Sequence, residues 1–197
     1  MRPARPLALL LSIAVLAFAA AGCGGGGGSS ASGTKPETWS ASVCGALQTW
    51  TDDLKTGSQN LSADLRKSSD LKSVKQKLVA FLEDAEQSTQ KMVQDVKAAG
   101  APAVKDGPAI QSDLENGLTD AQNSFHRAVA KAKKLPTNDP AALTTGLTSL
   151  GTQIQSELTS TGQHFSNLEK KYDVGDLNKA MAGEPSCKPF VSSSSSD

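Results

Sequence analysis

The chain has 197 residues, with 20 Lys and Arg against 20 Asp and Glu, and it is 38% hydrophobic and 4% aromatic. Zero net charge excludes an overall electrostatic footprint for nucleic acid, and two histidines leave little with which to build a metal or haem centre. Length and apolar content suffice for one ordinary domain with its own core.

The first residues, MRPARP, carry Arg2 and Arg5 and no acid, and Leu7 to Ala21 is apolar apart from Ser12. A basic start followed by an apolar run shorter than the roughly 20 residues that span a bilayer predicts an export signal. The arginines are not adjacent, so no twin-arginine pair is present. Ala20-Ala21-Gly22-Cys23 then resembles the lipobox of bacterial lipoproteins, in which small residues precede a cysteine that is lipidated on sulfur and becomes the mature N-terminus. The resemblance implies a signal peptide over residues 1–22, a covalent lipid on Cys23, and an address on the outer face of the cell membrane. Ordinary cleavage after Ala19 or Ala21, leaving Cys23 a plain thiol, is the alternative. Residues 23–36 are rich in Gly and Ser and read as a tether with a reach of about 20 Å. Of the three cysteines, a lipid on Cys23 would leave Cys44 and Cys187 as an even pair.

Beyond the tether, apolar residues recur at three- and four-residue steps. Trp39, Val43, Leu47, Trp50, Leu54, Leu61 and Leu65 trace one helical face, with an interruption expected at Gly57. Leu71, Val74, Leu78, Phe81, Leu82, Ala85, Met92 and Val96 trace a second face. Ile110, Leu114, Leu118, Ala121, Phe125, Val129 and Ala132 trace a third, and Leu143, Leu147, Leu150, Ile154, Leu158, Phe165, Leu168 and Tyr172 a fourth. Asp70, Asp106-Gly107-Pro108 and Asp139-Pro140 supply start signals, and Gly100-Ala101-Pro102 and Leu135-Pro136 supply stops. Lys131, Lys133 and Lys134 read as cations complementing a helix C-terminus. Four long segments with short connections predict an all-α domain over residues 37–190, an up-down-up-down antiparallel four-helix bundle. An even helix count returns Cys187 to the end where Cys44 starts, and export to an oxidising compartment favours a disulfide between them. The tail, residues 191–197, is a polar serine tract expected to be disordered.

The pattern Trp39-x-x-x-Val43-Cys44-x-x-x-x-x-Trp50, the stretches KAAGAPAVKDGPAI and LPTNDPAAL, and the closing EPSCKPF resemble small secreted lipoproteins of actinobacteria. The resemblance implies fold and address; it carries no activity and no catalytic residues.

The chemistry sought and not found narrows the function. His126 and His164 fall about 22 Å apart if the third and fourth helices are antiparallel, so they cannot share a metal, and no metal site is expected. No nucleophile elbow is present, and Ser69 with Lys72 meets only a bare four-residue spacing. The carboxylate pairs Asp52-Asp53 and Glu83-Asp84 belong on solvated faces. Trp50 is expected in the core, and Trp39, near a helix start, is the candidate partner surface. The expectation is a non-enzymatic, membrane-anchored interaction module that needs no cofactor beyond its lipid and binds an envelope or extracellular protein. A small-ligand binder is the alternative, motivated by the mid-helix glycines Gly117, Gly146, Gly151 and Gly162.

Overall fold

A computed structural model of the chain describes residues 32–191. The expected signal peptide, Cys23, most of the tether and the serine tail lie outside the described residues. Helix α1 runs over Pro36–Arg66, α2 over Leu71–Ala99, α3 over Gly107–Ala132 and α4 over Pro140–Lys171. Two short helices follow, α5 (Gly175–Gly183) and α6 (Lys188–Val191), separated by a 3-10 turn at Pro185–Cys187. Among the described residues there is no strand, and the fold is all-helical; the short elements after Lys171 exceed the four helices expected.

Local signals explain most of the boundaries. The Asp70 carboxylate accepts from Ser73 N at 2.8 Å, and that of Asp139 accepts from Ala141 N and Ala142 N at 2.8 and 3.1 Å, with Pro140 in the first turn. Asp106 does not cap. It takes a left-handed conformation, φ 58°, without a side-chain cap bond. The α2–α3 loop turns so tightly there that a β-carbon on Gly107 would lie 2.0 Å from the Pro102 carbonyl oxygen. The expected break at Gly57 is absent, because α1 continues through it and uses the missing side chain to admit the Phe81 ring, 3.1 Å from a would-be β-carbon.

Residue pairs across neighbouring helices run in opposite senses. Trp50 of α1 meets Thr89 of α2 while Gly57 meets Phe81; Gln111 of α3 meets Val96 of α2 while His126 meets Glu86; Arg127 of α3 meets Glu157 of α4 while Asp113 meets Lys171. Each long helix thus packs antiparallel on the next, and α5 and the 3-10 turn pack on α1. Helices α1 and α4 barely meet.

The core is accordingly in two parts. One cluster takes Trp39, Val43 and Ala46 from α1, Met92, Val93 and Val96 from α2, Ile110, Leu114 and Leu118 from α3, and Leu177 from α5. The other takes Leu82 from α2, Ala128, Val129 and Ala132 from α3, Leu135 from the following loop, and Leu143 and Leu150 from α4. Helices α2 and α3 are the shared spine; α1 supplies fully buried residues to the first cluster and α4 to the second. That arrangement leaves the later positions of the predicted α1 face, Leu54, Leu61 and Leu65, only half-buried. The side chains of Leu158 and Phe165 lie outside those described.

Candidate functional site

Cys44 and Cys187 form a disulfide, with their α-carbons 5.0 Å apart and both residues fully buried. The bond joins the first third of α1 to the 3-10 turn after α5, so the chain closes on itself at one end of the molecule. Ser40, also fully buried, sits one turn before Cys44; its carbonyl oxygen lies 3.6 Å from the Cys187 sulfur.

The same end holds a polar lattice that periodicity did not reveal. Trp39 is only 5% exposed. Its Nε1 donates to the Gly100 carbonyl at 2.9 Å and to Gln111 Oε1 at 3.0 Å, while Gln111 Nε2 donates to the Val96 carbonyl at 3.0 Å. The expectation of Trp39 as an exposed partner surface is therefore corrected: a buried indole N–H requires an acceptor, and the C-terminus of α2 supplies one. Trp50, expected in the core, packs against the same cluster but is the more exposed tryptophan, its Nε1 donating to Thr89 Oγ1 at 2.9 Å.

The end of the expected tether is also built into this lattice. Thr34 N donates to the Ala101 carbonyl at 2.8 Å, Ala103 N donates to the Thr34 carbonyl at 2.7 Å, and Thr34 Oγ1 donates to the Ala99 carbonyl at 2.7 Å. These bonds make an isolated parallel bridge between Thr34 and Pro102, so the chain is held from Gly33 onward and enters the body at the end where α2 meets α3.

Between α3 and α4 a charged cluster fixes the last turn of α4. Lys171 Nζ and Tyr172 OH both donate to Asp113 Oδ2, at 2.6 and 2.9 Å, and His164 Nε2 lies 3.0 Å from the Asp113 carbonyl oxygen. The hydrogen bonds from Lys171 and Tyr172 hold the Asp113 carboxyl below its ordinary value of 3.8, and the same contact raises the Lys171 ammonium. Further along, burial pushes the Glu157 carboxyl up, but hydrogen bonds from Gln153, Ser124 and Arg127 outweigh it and leave the group below its ordinary range. Glu157 and Arg127 line an open polar cleft of about 290 Å³ together with Gly117, Asp120 and His164.

His126 is exposed and faces Glu86 at 2.8 Å, on the α2 side of α3, whereas His164 faces Asp113. The structure does not bring the two histidines together, and no group of three or more His, Cys, Asp or Glu converges as a metal would require among the described residues. The glycines that motivated a ligand cavity divide. A β-carbon on Gly146 would lie 2.4 Å from Leu135 Cδ2, so Gly146 permits close packing; Gly151 and Gly162 face open space. No helix among the described residues is long and apolar enough to cross a membrane. The chain matches no protein-family model, no curated protein and no solved structure.

Proposed function

We propose that this chain is a lipoprotein of the outer face of the cell membrane, related to the small secreted lipoproteins of actinobacteria that its sequence resembles. In this reading the four long helices act as an up-down-up-down bundle and serve as a non-enzymatic interaction module for an envelope or extracellular partner. The observation that carries the reading is the disulfide. Pairing Cys44 with Cys187 leaves Cys23 as the third cysteine, and Cys23 stands directly after Ala20-Ala21-Gly22. A buried disulfide also suits an oxidising, extracytoplasmic compartment, and the docking of Thr34 on the α2–α3 loop gives a tethered chain a fixed point of exit.

The experiment is Cys23→Ser in the native host, followed by fractionation and mass measurement. A diacylglyceryl group supplies two acyl chains, enough for stable anchoring, so the variant is expected in the soluble fraction and lighter by its lipid. Undiminished membrane association with an unchanged mature mass would remove the reading.

A further inference from the structure

The end of the molecule opposite the disulfide carries a charge excess that net composition conceals. Residues 64–77, across the α1–α2 turn, and residues 131–139, across the α3–α4 turn, hold eight basic and three acidic side chains between them. The two turns belong to one surface, because Lys75 Nζ on α2 donates to the Leu135 carbonyl at 2.9 Å and Lys133 on the α3–α4 turn pairs with Glu83 of α2 at 2.7 Å. The disulfide end is near balance, with seven basic and six acidic residues over 33–37, 97–106 and 168–188.

Part of the excess has a structural use. Lys75 and Lys77 satisfy loop and helix-end carbonyls, Lys131 reaches Gln153, and Lys133 has its carboxylate. Arg66, Lys67, Lys72 and Lys134 are different: all four are exposed, and none is in an ion pair with a described residue. Lys72 is also misplaced for stability. It stands in the first turn of α2, which contains no acid, where the helix dipole favours carboxylates and disfavours an ammonium. Four exposed cations without an ion-pair partner leave this tip with a net positive field, which a bound polyanion would neutralise.

We propose that this tip binds a linear polyanion, a polymer of repeated phosphate or carboxylate groups in the cell envelope. Three of the four groups are lysines, point charges without the fork that reads anion geometry, so the surface recognises charge density rather than one monomer. For the choice of a polymer over a bilayer the inference rests on the proposed anchor. The tip lies about 45 Å along α1 from where the chain enters the body, whereas the ten residues from Cys23 to Gly33 extend at most about 35 Å. An anchored molecule cannot set this tip face-on against its own membrane.

The test uses the mature chain, residues 23–197 with Cys23→Ser, so that neither lipid nor leader contributes, with inorganic polyphosphate as probe in one arm and phosphatidylglycerol vesicles in the other. One variant combines Arg66→Gln, Lys67→Gln, Lys72→Gln and Lys134→Gln; a charge-matched control combines Lys55→Gln, Lys97→Gln, Lys105→Gln and Lys170→Gln, all exposed positions. Helix content measured by circular dichroism is expected to be unchanged in both. The tip variant should bind polyphosphate at least about tenfold more weakly, with a shallower salt dependence, and the control should change less than about threefold. Equal losses in both variants, no binding by the parent chain near physiological salt, or tighter binding to vesicles than to polyphosphate would overturn the proposal. Polyphosphate binding through the four residues in a chain whose Cys23 proves unlipidated would leave the tip's chemistry standing and remove only the anchor.

Discussion

At the disulfide end, α1 joins α2 and α3 around Trp39, a covalent bond holds the closing turn in place, and the incoming segment is bonded at Thr34. At the other end α4 takes the place of α1 around Leu135 and Leu143, the turns are held by the Asp70 and Asp139 caps and by lysine bonds to main-chain carbonyls rather than by a covalent link, and cations crowd the surface. The same two helices, α2 and α3, run through both ends. What differs is how much holds the third helix to them, and the contrast shows where the fold is fixed and where it is left available.

Removing the covalent bond should have the largest effect. Cys44→Ala with Cys187→Ala opens a loop spanning a sequence separation of 143 residues, and the expected loss of stability is up to about 5 kcal/mol by the chain-entropy argument. Denaturant unfolding measures it, and helix content should persist because the apolar faces still bury one another. A loss below about 1 kcal/mol would mean that both ends rely on packing alone and that the contrast is false.

The next effect concerns the indoles. Trp39→Phe removes the donor shared by the Gly100 carbonyl and Gln111 and should cost about 1–3 kcal/mol, because a buried and a half-buried acceptor lose their partner. Trp50→Phe removes one bond at a half-buried site and should cost about 1 kcal/mol or less. Equal losses in thermal or chemical melts would show that the polar lattice at Trp39 is not special.

Two glycines of α4 sharpen the view from the opposite end. Gly146→Ala drives a methyl against buried Leu135, and the net expectation is a loss of about 1 kcal/mol after the gain in helix propensity is counted. Gly151→Ala meets open space and should stabilise by up to about 1 kcal/mol. Opposite signs five residues apart place the α3–α4 contact on one side of the helix; like signs would contradict it.

The smallest expected effect is a pH dependence. The Asp113 carboxyl is lowered in the folded chain by Lys171 and Tyr172, so its contribution is present above the ordinary value of 3.8 and is lost as pH falls through the lowered folded value. Asp113→Asn should therefore flatten the acid side of the stability profile below about pH 4, read from melts across that range, and loosen the last turn of α4. An unchanged profile would show that the cluster adds nothing to holding α4.

The long helices were legible because their signals are local: the three- and four-residue spacing, the Asp70 and Asp139 caps and the Pro after Asp139 all act within a turn or two. The disulfide was legible from topology only as far as the end of the molecule: the long helices bring the chain back to the end where Cys44 stands, and α5 with the 3-10 turn, packed on α1, carries Cys187 to it. Four features were not. Trp39 looked available because position near a helix start says nothing about the Gly100 carbonyl, which comes from 61 residues away. Gly57 looked like a break because its partner, the Phe81 ring, is on another helix. The basic tip was hidden because Arg66, Lys67 and Lys72 are separated in sequence from Lys134 by two long helices, and acidic residues elsewhere cancel the total. The helices after Lys171 escaped notice because nine- and four-residue elements are too short to show a period.

The central proposal is that a lipid on Cys23 turns the disulfide end toward the membrane and the basic tip away from it, and the most direct measurement is energy transfer between a fluorophore on the protein purified from its native host and acceptor lipids in a reconstituted bilayer. The fluorophore is placed at Lys105→Cys, in the loop beside Thr34, or at Lys72→Cys on the basic tip. Efficient transfer from position 105 with little from position 72 is the predicted result, since the two sites are separated by most of the roughly 45 Å length of α1. Equal transfer from both, or stronger transfer from position 72, would contradict the account.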